Sequence, residues 1–99
     1  MHVISRKRLK EFWQKHPDAE APLKRWHEAA SKATWRNLAE VRLSFPHADP
    51  VGSCMVFNIK GNVYRLIVKI VYRLQRIYVR RVLAHAEYDK GEWKNECSG

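Results

Sequence analysis

The feature of this chain that most constrains its fold is a change of hydrophobic period near residue 55. From Met55 onward apolar residues recur at every second position, which is the period of a strand with one buried face. Two such runs, one ending at Ile59 and one starting at Tyr64, flank a turn that contains Gly and Asn at residues 60–62. This spacing is typical of a β-hairpin. It predicts two paired strands, with the cation Arg65 on the second.

The alternation continues through the rest of this region. In the second strand, residues 64–72, the even-numbered positions form an apolar face, and Arg65 and Lys69 lie on the opposite face. A turn near residues 73–76 leads into a third strand at residues 77–84, so we expect an antiparallel meander. Alternation divides the third strand into one face with Tyr78, Arg80 and Val82 and another with Ile77, Val79, Arg81 and Leu83.

The first half of the chain has the helical period of about 3.6 residues. Ser5 is placed to cap a helix that ends at His16, and Asp18 or Glu20 opens a second helix. Each predicted helix has one apolar stripe, formed by Leu9, Phe12 and Trp13 in the first and by Leu23, Trp26, Ala30 and Ala33 in the second. Such stripes suit packing on the predicted sheet.

Between these helices and the hairpin the signals are weaker. Asn37 followed by Glu40 resembles a capping box and predicts one or two helical turns at residues 38–43, whereas residues 44–53 are predicted to be loop.

We expect a single α+β domain over residues 1–99. In it two N-terminal helices pack on a small, mainly antiparallel sheet, followed by a short C-terminal helix or tail. The other sheet face is expected to be cationic and partly open.

The charge balance favours a polyanionic partner. Lysine and arginine number 19 against 10 aspartates and glutamates, which gives a formal net charge of +9. Such a surface suits nucleic acid, the ribosome, an anionic membrane or an acidic protein, and charge alone does not separate these. The hydrophobic content of 45% is too high for a disordered basic tail.

The sequence pattern contains neither a membrane span nor a secretion signal. No stretch approaches the roughly 18 apolar residues of a span, and residues 1–5 lack the regions of a signal peptide. We therefore expect a cytoplasmic protein with no membrane partner.

The two cysteines, Cys54 and Cys97, are too few for a disulfide framework, and in the cytoplasm they are expected to be free thiols. No zinc-ligand spacing or cofactor motif occurs, so neither a metal nor a cofactor is expected.

Four motifs occur in a specific order along residues 1–90. They are Met1-His2-Val3-Ile4-Ser5 before a helix, Phe45-Pro46-x-Ala48-Asp49, Val56-Phe57-Asn58-Ile59-x-Gly61-Asn62-x-Tyr64-Arg65-Leu66, and His85-x-Glu87-Tyr88-Asp89-Lys90. These motifs closely resemble the HigB family, the toxin components of type II toxin–antitoxin modules within the RelE-like group. The chain departs from the family pattern in the loop at residues 51–54, at Arg81, where a bulky apolar residue is usual, and in the tail after Lys90.

The resemblance implies a RelE-like fold and a defined activity. Members of this group are ribosome-dependent mRNA interferases, endoribonucleases that enter the ribosomal A site, cut the translated message and inhibit translation. It also implies a cognate antitoxin with a helix-turn-helix domain. None of this follows from composition.

RNA cleavage without a metal needs a base for the 2′-hydroxyl, cations for the phosphorane and an acid for the 5′-oxygen. By resemblance, Arg65 and Arg80 are the predicted catalytic cations, and His85 and Tyr88 are the predicted proton-transfer groups, with His85 favoured as the base. Reversed roles, or a site completed by the ribosome, stay open. The predicted RNA-binding residues are Lys60, Asn62, Lys69 and Lys90.

Each of these residues also has a purely structural interpretation. Arg65 and Arg80 would serve to solvate an exposed sheet face, and Asn62 suits the hairpin turn. One alternative function is therefore a catalytically silent basic module that binds RNA or the ribosome and blocks translation without cutting. A third interpretation is a regulatory protein whose sheet edge binds a peptide.

Overall fold

The computed structural model describes residues 1–98 and has an α+β architecture, with helices packed on a mixed five-stranded sheet. The strands are β1 (His2–Ile4), β2 (Asp49–Val51), β3 (Cys54–Ile59), β4 (Tyr64–Val71) and β5 (Arg76–Ala84). The helices are α1 (Arg6–Lys15), α2 (Glu20–Lys32), α3 (Leu38–Ser44) and α4 (His85–Lys90), with 3₁₀ helices at Pro17–Ala19, Tyr72–Leu74 and Glu92–Cys97. The predicted fold class is confirmed.

The predicted meander forms the centre of the sheet, whose strand order is β1-β5-β4-β3-β2. Strands β3, β4 and β5 pair antiparallel, and Asn58 lies opposite Arg65. The two edge strands were not predicted. β1 pairs parallel to β5, and β2 pairs with the start of β3, so the prediction of loop throughout residues 44–53 is wrong. A three-residue strand is too short to show a period, and only its pairing with a neighbour defines it.

A β-bulge in β5 changes which residues face the helices. Ile67 lies opposite Arg81 but Val68 lies opposite Val79, so Arg80 is the extra residue. Because a bulge resets the alternation, Ile77 and Val79 are buried beneath the helices, whereas Leu83 packs on the other sheet face. The predicted common face for Ile77, Val79, Arg81 and Leu83 is therefore wrong.

Two of the predicted helix caps are confirmed. The hydroxyl of Ser5 accepts a hydrogen bond from Lys7 N at 3.2 Å, and the side-chain oxygen of Asn37 accepts one from Glu40 N at 3.0 Å. Helix α2 begins at Glu20 without a side-chain cap, because Asp18 binds residues of the hairpin instead. The carboxylate of Glu40 reaches back and accepts a hydrogen bond from Arg36 N at 2.9 Å, one residue before the cap.

The main core lies between α1–α3 and one face of the sheet. Phe57 of β3 is its centre, with ring centroids 5.4 Å from Trp26, 5.2 Å from Phe45 and 6.5 Å from Trp35. Such offset and edge-to-face contacts are the favoured geometries of aromatic rings. The tryptophans of the helical half are therefore core residues.

The C-terminal segment, residues 91–98, covers part of the opposite sheet face. Trp93 and Cys97 pack on Val56, Ile67 and Leu83 in a second apolar cluster. This face is therefore less open than predicted. The sequence did not reveal this cover, because the segment is short and its apolar residues lack the period of a long helix.

Cys54 and Cys97 form a disulfide, so the prediction of free thiols is wrong. Their Cα atoms are 5.2 Å apart, within the range that a disulfide requires. Their separation of 43 positions along the chain gave no indication of this proximity. It arises because Cys54 begins β3 on the face where the C-terminal segment folds back. Both hydrogen-bond donors of Ser53, its amide and its hydroxyl, also reach the Cys97 carbonyl, at 2.7 and 3.1 Å.

The turn before β3 provides a stability test of this contact. Gly52 has φ +57°, and a Cβ placed there would overlap the Cys97 carbonyl oxygen. Gly61 has φ +62°, but a Cβ there would meet nothing within 4 Å. We expect Gly61→Ala to cost about 1–2 kcal/mol from the left-handed backbone alone. Gly52→Ala should cost about 1–3 kcal/mol more, because it also displaces the segment. Urea unfolding of both variants measures the difference, and equal losses would contradict the contact.

Candidate active site

An open cleft of about 390 Å³ lies on the sheet face that the helices leave free, beside the C-terminal segment. We call it the Arg65 cleft. Its lining residues are Arg42, Pro46, His47, Ala48, Asp49, Val56, Asn58, Arg65 and Tyr88. They come from α3 and the loop after it, from β2, β3 and β4, and from α4. The cleft is therefore assembled from segments far apart in the sequence.

Arg65 is the central cation of this cleft. Its Nη1 donates to the carbonyl of Asn62 at 2.8 Å and to that of Tyr64 at 3.3 Å. Its Nε and Nη2 groups make no hydrogen bond to any of residues 1–98. The hairpin turn thus holds one edge of the guanidinium, while the remaining donors are available to a planar, two-pronged acceptor such as a phosphate.

Tyr88 covers this guanidinium from the side of α4. The Arg65 Cζ lies 5.1 Å from the centroid of the Tyr88 ring, a cation–π distance. The same ring stacks on Trp93, with centroids 5.0 Å apart and an interplanar angle of 17°. The structure therefore brings together two of the four predicted catalytic residues, Arg65 and Tyr88.

Four polar residues of the cleft were not among the predicted site residues: Arg42, His47, Asp49 and Asn58. The Arg42 Nε donates to the carbonyl of Ala48 at 3.1 Å and so braces the loop that carries His47. The signal that was available is the Phe45-Pro46-x-Ala48-Asp49 motif, which occupies this loop. Polar residues of a loop that a rigid sheet holds in place are frequent ligands of substrates.

Arg80 lies in a different cleft. This second cleft, of about 710 Å³, runs between α1 and β5 and shares no lining residue with the Arg65 cleft. We call it the Arg80 cleft, and Arg8, Lys15 and Glu96 also line it. The Arg8 Nη1 donates to the Arg80 carbonyl at 2.9 Å. The structure therefore separates the two cations that the sequence predicted to act together.

His85 lines neither cleft. It opens α4, and its Nε2 lies 3.1 Å from an Asp89 carboxylate oxygen one helical turn later, where both side chains are more than half exposed. Residues 85 and 88 are three apart on a short helix, yet only Tyr88 is turned toward Arg65.

The four predicted RNA-binding residues are dispersed over the surface. Lys60 and Asn62 lie in the hairpin turn, Lys69 is half-buried in β4 on the face of Arg65, and Lys90 is exposed at the end of α4. None of the four lines the Arg65 cleft, although Asn62 contributes the carbonyl that holds Arg65.

Lys60 is paired with an acid. Its Nζ donates to Asp18 at 2.7 Å, and the Tyr64 hydroxyl donates to the other oxygen of the same carboxylate at 2.6 Å. The Lys60 ammonium first, and then the Tyr64 hydroxyl, hold the pKa of the Asp18 carboxyl below its ordinary value of 3.8. Asp18 in turn raises the pKa of the Tyr64 phenol. The network ties the 3₁₀ helix before α2 to the hairpin.

This network makes stability depend on pH in a predictable direction. Because the pKa of Asp18 is lower in the folded chain than in the unfolded chain, its contribution is present above about pH 4 and is lost as the pH falls further. We expect Asp18→Asn to destabilise the protein near pH 6 and to match the wild type near pH 2. Urea unfolding across this range tests the sign. A difference that stayed constant down to about pH 2 would contradict it.

Within residues 1–98, no three His, Cys, Asp or Glu side chains converge as a metal-binding group. None of the helices in the same residues has both the length and the apolar character needed to cross a membrane.

Comparison with known proteins gives consistent matches. The profile of the HigB toxin family, described as the RelE-like toxic component of a toxin–antitoxin system, matches residues 19–91. The chain is 29% identical over 92 residues to the mRNA interferase toxin HigB of Escherichia coli (strain K12), a match covering 90% of this chain and 88% of that protein. The mRNA interferase HigB of Shigella flexneri matches to the same extent. That of Escherichia coli O6:H1 (strain CFT073) is 29% identical over 93 residues, covering 91% of this chain and 90% of that protein.

Proposed function

Because the chain belongs to the HigB family of RelE-like toxins, we propose that it is an mRNA interferase that enters the ribosomal A site and cuts the translated message there. The observation that carries this proposal is the Arg65 cleft. It presents a guanidinium with free donors beside a phenol in an open cleft.

The chemistry that suits these residues is an attack of the 2′-hydroxyl on the adjacent phosphorus. The bond from phosphorus to O2′ forms as the bond to O5′ breaks, a base takes the proton from O2′, and an acid gives one to O5′. Negative charge builds up on the non-bridging oxygens, and Arg65 is placed to stabilise it through its two-pronged donor edge. Arg42 provides a second cation in the same cleft.

Two groups that share the cleft with Arg65 are suited to proton transfer. Tyr88 lies against the guanidinium, and His47 lines the same cleft from the loop after α3. We therefore favour these two over His85, which stays the alternative derived from the sequence. Arg80, in its separate cleft, is proposed to contact RNA outside the cutting site.

The proposed partners follow from the same activity. A family member is the toxic component of a two-protein system, so the chain has an antitoxin, for which we propose a helix-turn-helix domain. The net charge of +9 favours docking to ribosomal RNA in the cytoplasm, where translated messages lie, through contacts that salt weakens.

Tightly induced expression with mapping of transcript 5′ ends tests this function. We expect the wild type to stop growth and to produce new 5′ ends inside translated reading frames. Arg65→Ala should relieve both effects. Arg73→Ala is the matched control, because it removes the same charge from an exposed 3₁₀ turn outside the cleft and should act like the wild type.

The outcomes separate the two candidate functions. Growth arrest without new 5′ ends would contradict cleavage and support the silent module that blocks translation by binding alone. Cuts that persist undiminished in Arg65→Ala would leave the activity intact but remove Arg65 from its site.

A further inference from the structure

The C-terminal segment, residues 91–98, is anchored at its far end to the turn before β3. The Cys54–Cys97 disulfide and both donors of Ser53 meet at Cys97. A second tie is the ion pair between the Arg81 guanidinium and Glu96, whose side chains are both exposed to solvent. An exposed ion pair of this kind adds little by itself. The buried cross-link is therefore the strongest tie that holds the segment to the sheet.

The same segment supports Tyr88. The Trp93 ring stacks on the Tyr88 ring, and the Trp93 Nε1 donates to the Tyr88 carbonyl at 2.9 Å. Tyr88 in turn lies over the Arg65 guanidinium. An unbroken series of contacts thus runs from the disulfide through Trp93 and Tyr88 to the central cation of the cleft.

We propose that the Cys54–Cys97 disulfide is a redox-controlled clamp that positions Tyr88 against Arg65, so that the oxidised protein cuts RNA faster than the reduced protein. This inference rests on the proposed function. Trp93 is a positioning residue in it, since it touches Tyr88 but lines no part of the Arg65 cleft. The two cysteines act on Tyr88 through Trp93.

The shortness of α4 explains why the clamp is needed. The helix has six residues, ends at Gly91 in a left-handed conformation and has no N-cap hydrogen bond. A helix this short is not stable alone. Its position over β4 therefore depends on the packing of Trp93 and on the tie at Cys97.

The redox step is an ordinary thiol–disulfide exchange. A dithiol reductant supplies two electrons and two protons, the bond between the two sulfurs breaks, two thiols form, and the reductant becomes a disulfide. A low-molecular-weight disulfide reverses the step and leaves as two thiols. Cys54 and Cys97 are 4% and 1% exposed, so exchange requires the segment to lift from the sheet. Chain ends are where such local opening costs least.

Single-turnover cleavage on programmed ribosomes tests the proposal. Oxidised and chemically reduced wild type, with thiol content verified by alkylation and mass spectrometry, are compared at saturating ribosome concentration and at a temperature where circular dichroism shows both folded. We expect the reduced form to cut roughly 10- to 100-fold more slowly, with its binding to the ribosome little changed. Reoxidation with a low-molecular-weight disulfide should restore the rate.

The double variant Cys54→Ser/Cys97→Ser is the matched control. It should cut as slowly as the reduced wild type, and reductant should not change its rate. Equal rates for the oxidised and reduced wild type would overturn the proposal. A loss in the reduced form that reoxidation does not repair would also overturn it, because that result indicates damage to the fold instead of release of a clamp.

Amide hydrogen exchange separates this inference from the proposed function. On reduction, exchange should rise in residues 85–98 and stay unchanged in the centre of β4. If neither form cuts RNA, the proposed function fails, and unchanged protection of residues 85–98 on reduction would overturn the clamp as well. If both forms cut equally while the segment opens, the clamp is overturned and the proposed function stands.

Discussion

Replacing Arg65 by alanine should lower the single-turnover rate of message cleavage by about 10²- to 10³-fold, the loss typical of removing one donor that stabilises a developing anion. The guanidinium is held on one edge by the Asn62 carbonyl and offers its other donors to the cleft. Its position is set before RNA binds, so it needs little reorganisation at the moment of reaction. Cleavage on programmed ribosomes, with a folding check by circular dichroism, measures the effect.

Arg65→Lys separates charge from geometry. Lysine keeps the positive charge but lacks the planar two-pronged donor, so it should retain most of the affinity for the ribosome and lose most of the rate. Salt titration of binding should give nearly the same slope for this variant as for the wild type. If Arg65→Lys cut at the wild-type rate, Arg65 would act only as a point charge. If Arg65→Ala did so, the Arg65 cleft would not be the cutting site.

Replacing Phe57 by alanine should lower the free energy of unfolding by about 3–5 kcal/mol. Phe57 is 1% exposed and contacts the rings of Trp26, Trp35 and Phe45. Removing it leaves a cavity at the centre of the main core and also breaks the ring contacts, which add about 0.5–1.5 kcal/mol each beyond burial. Such a loss is a large part of the stability of a small domain.

Urea unfolding measures this loss, with an unchanged dependence on urea as evidence that the unfolding stays two-state. Leu43→Ala is the surface control, because Leu43 is 85% exposed and its loss should change stability by less than about 0.5 kcal/mol. Phe57→Leu should fall between the two. A Phe57→Ala loss no larger than that of Leu43→Ala would show that the aromatic cluster does not hold the helices to the sheet.

The sequence predicted only part of the arrangement of residues in the candidate site. Arg65 was predicted correctly as a cation on the hairpin, because a turn and a strand alternation place it there. The prediction that Arg65 and Arg80 lie in one site is not matched by the structure. A bulge in β5 changes the alternation at Arg80, which lines the cleft between α1 and β5 instead. His85 and Tyr88 are neighbours in sequence, but the stacking of Trp93 selects only Tyr88 for the cleft.

The features that could be predicted from the chain alone are local: the period of the central strands, the hairpin turn and the caps at Ser5 and Asn37. Each depends on residues within a few positions of one another, so each is readable from the chain. Four other features became visible only in the folded protein: the short edge strands, the bulge at Arg80, the disulfide between residues 43 positions apart and the set of residues that line the Arg65 cleft. These depend on how the helices, the sheet and the C-terminal segment pack, and packing joins residues whose separation along the chain gives no sign that they meet.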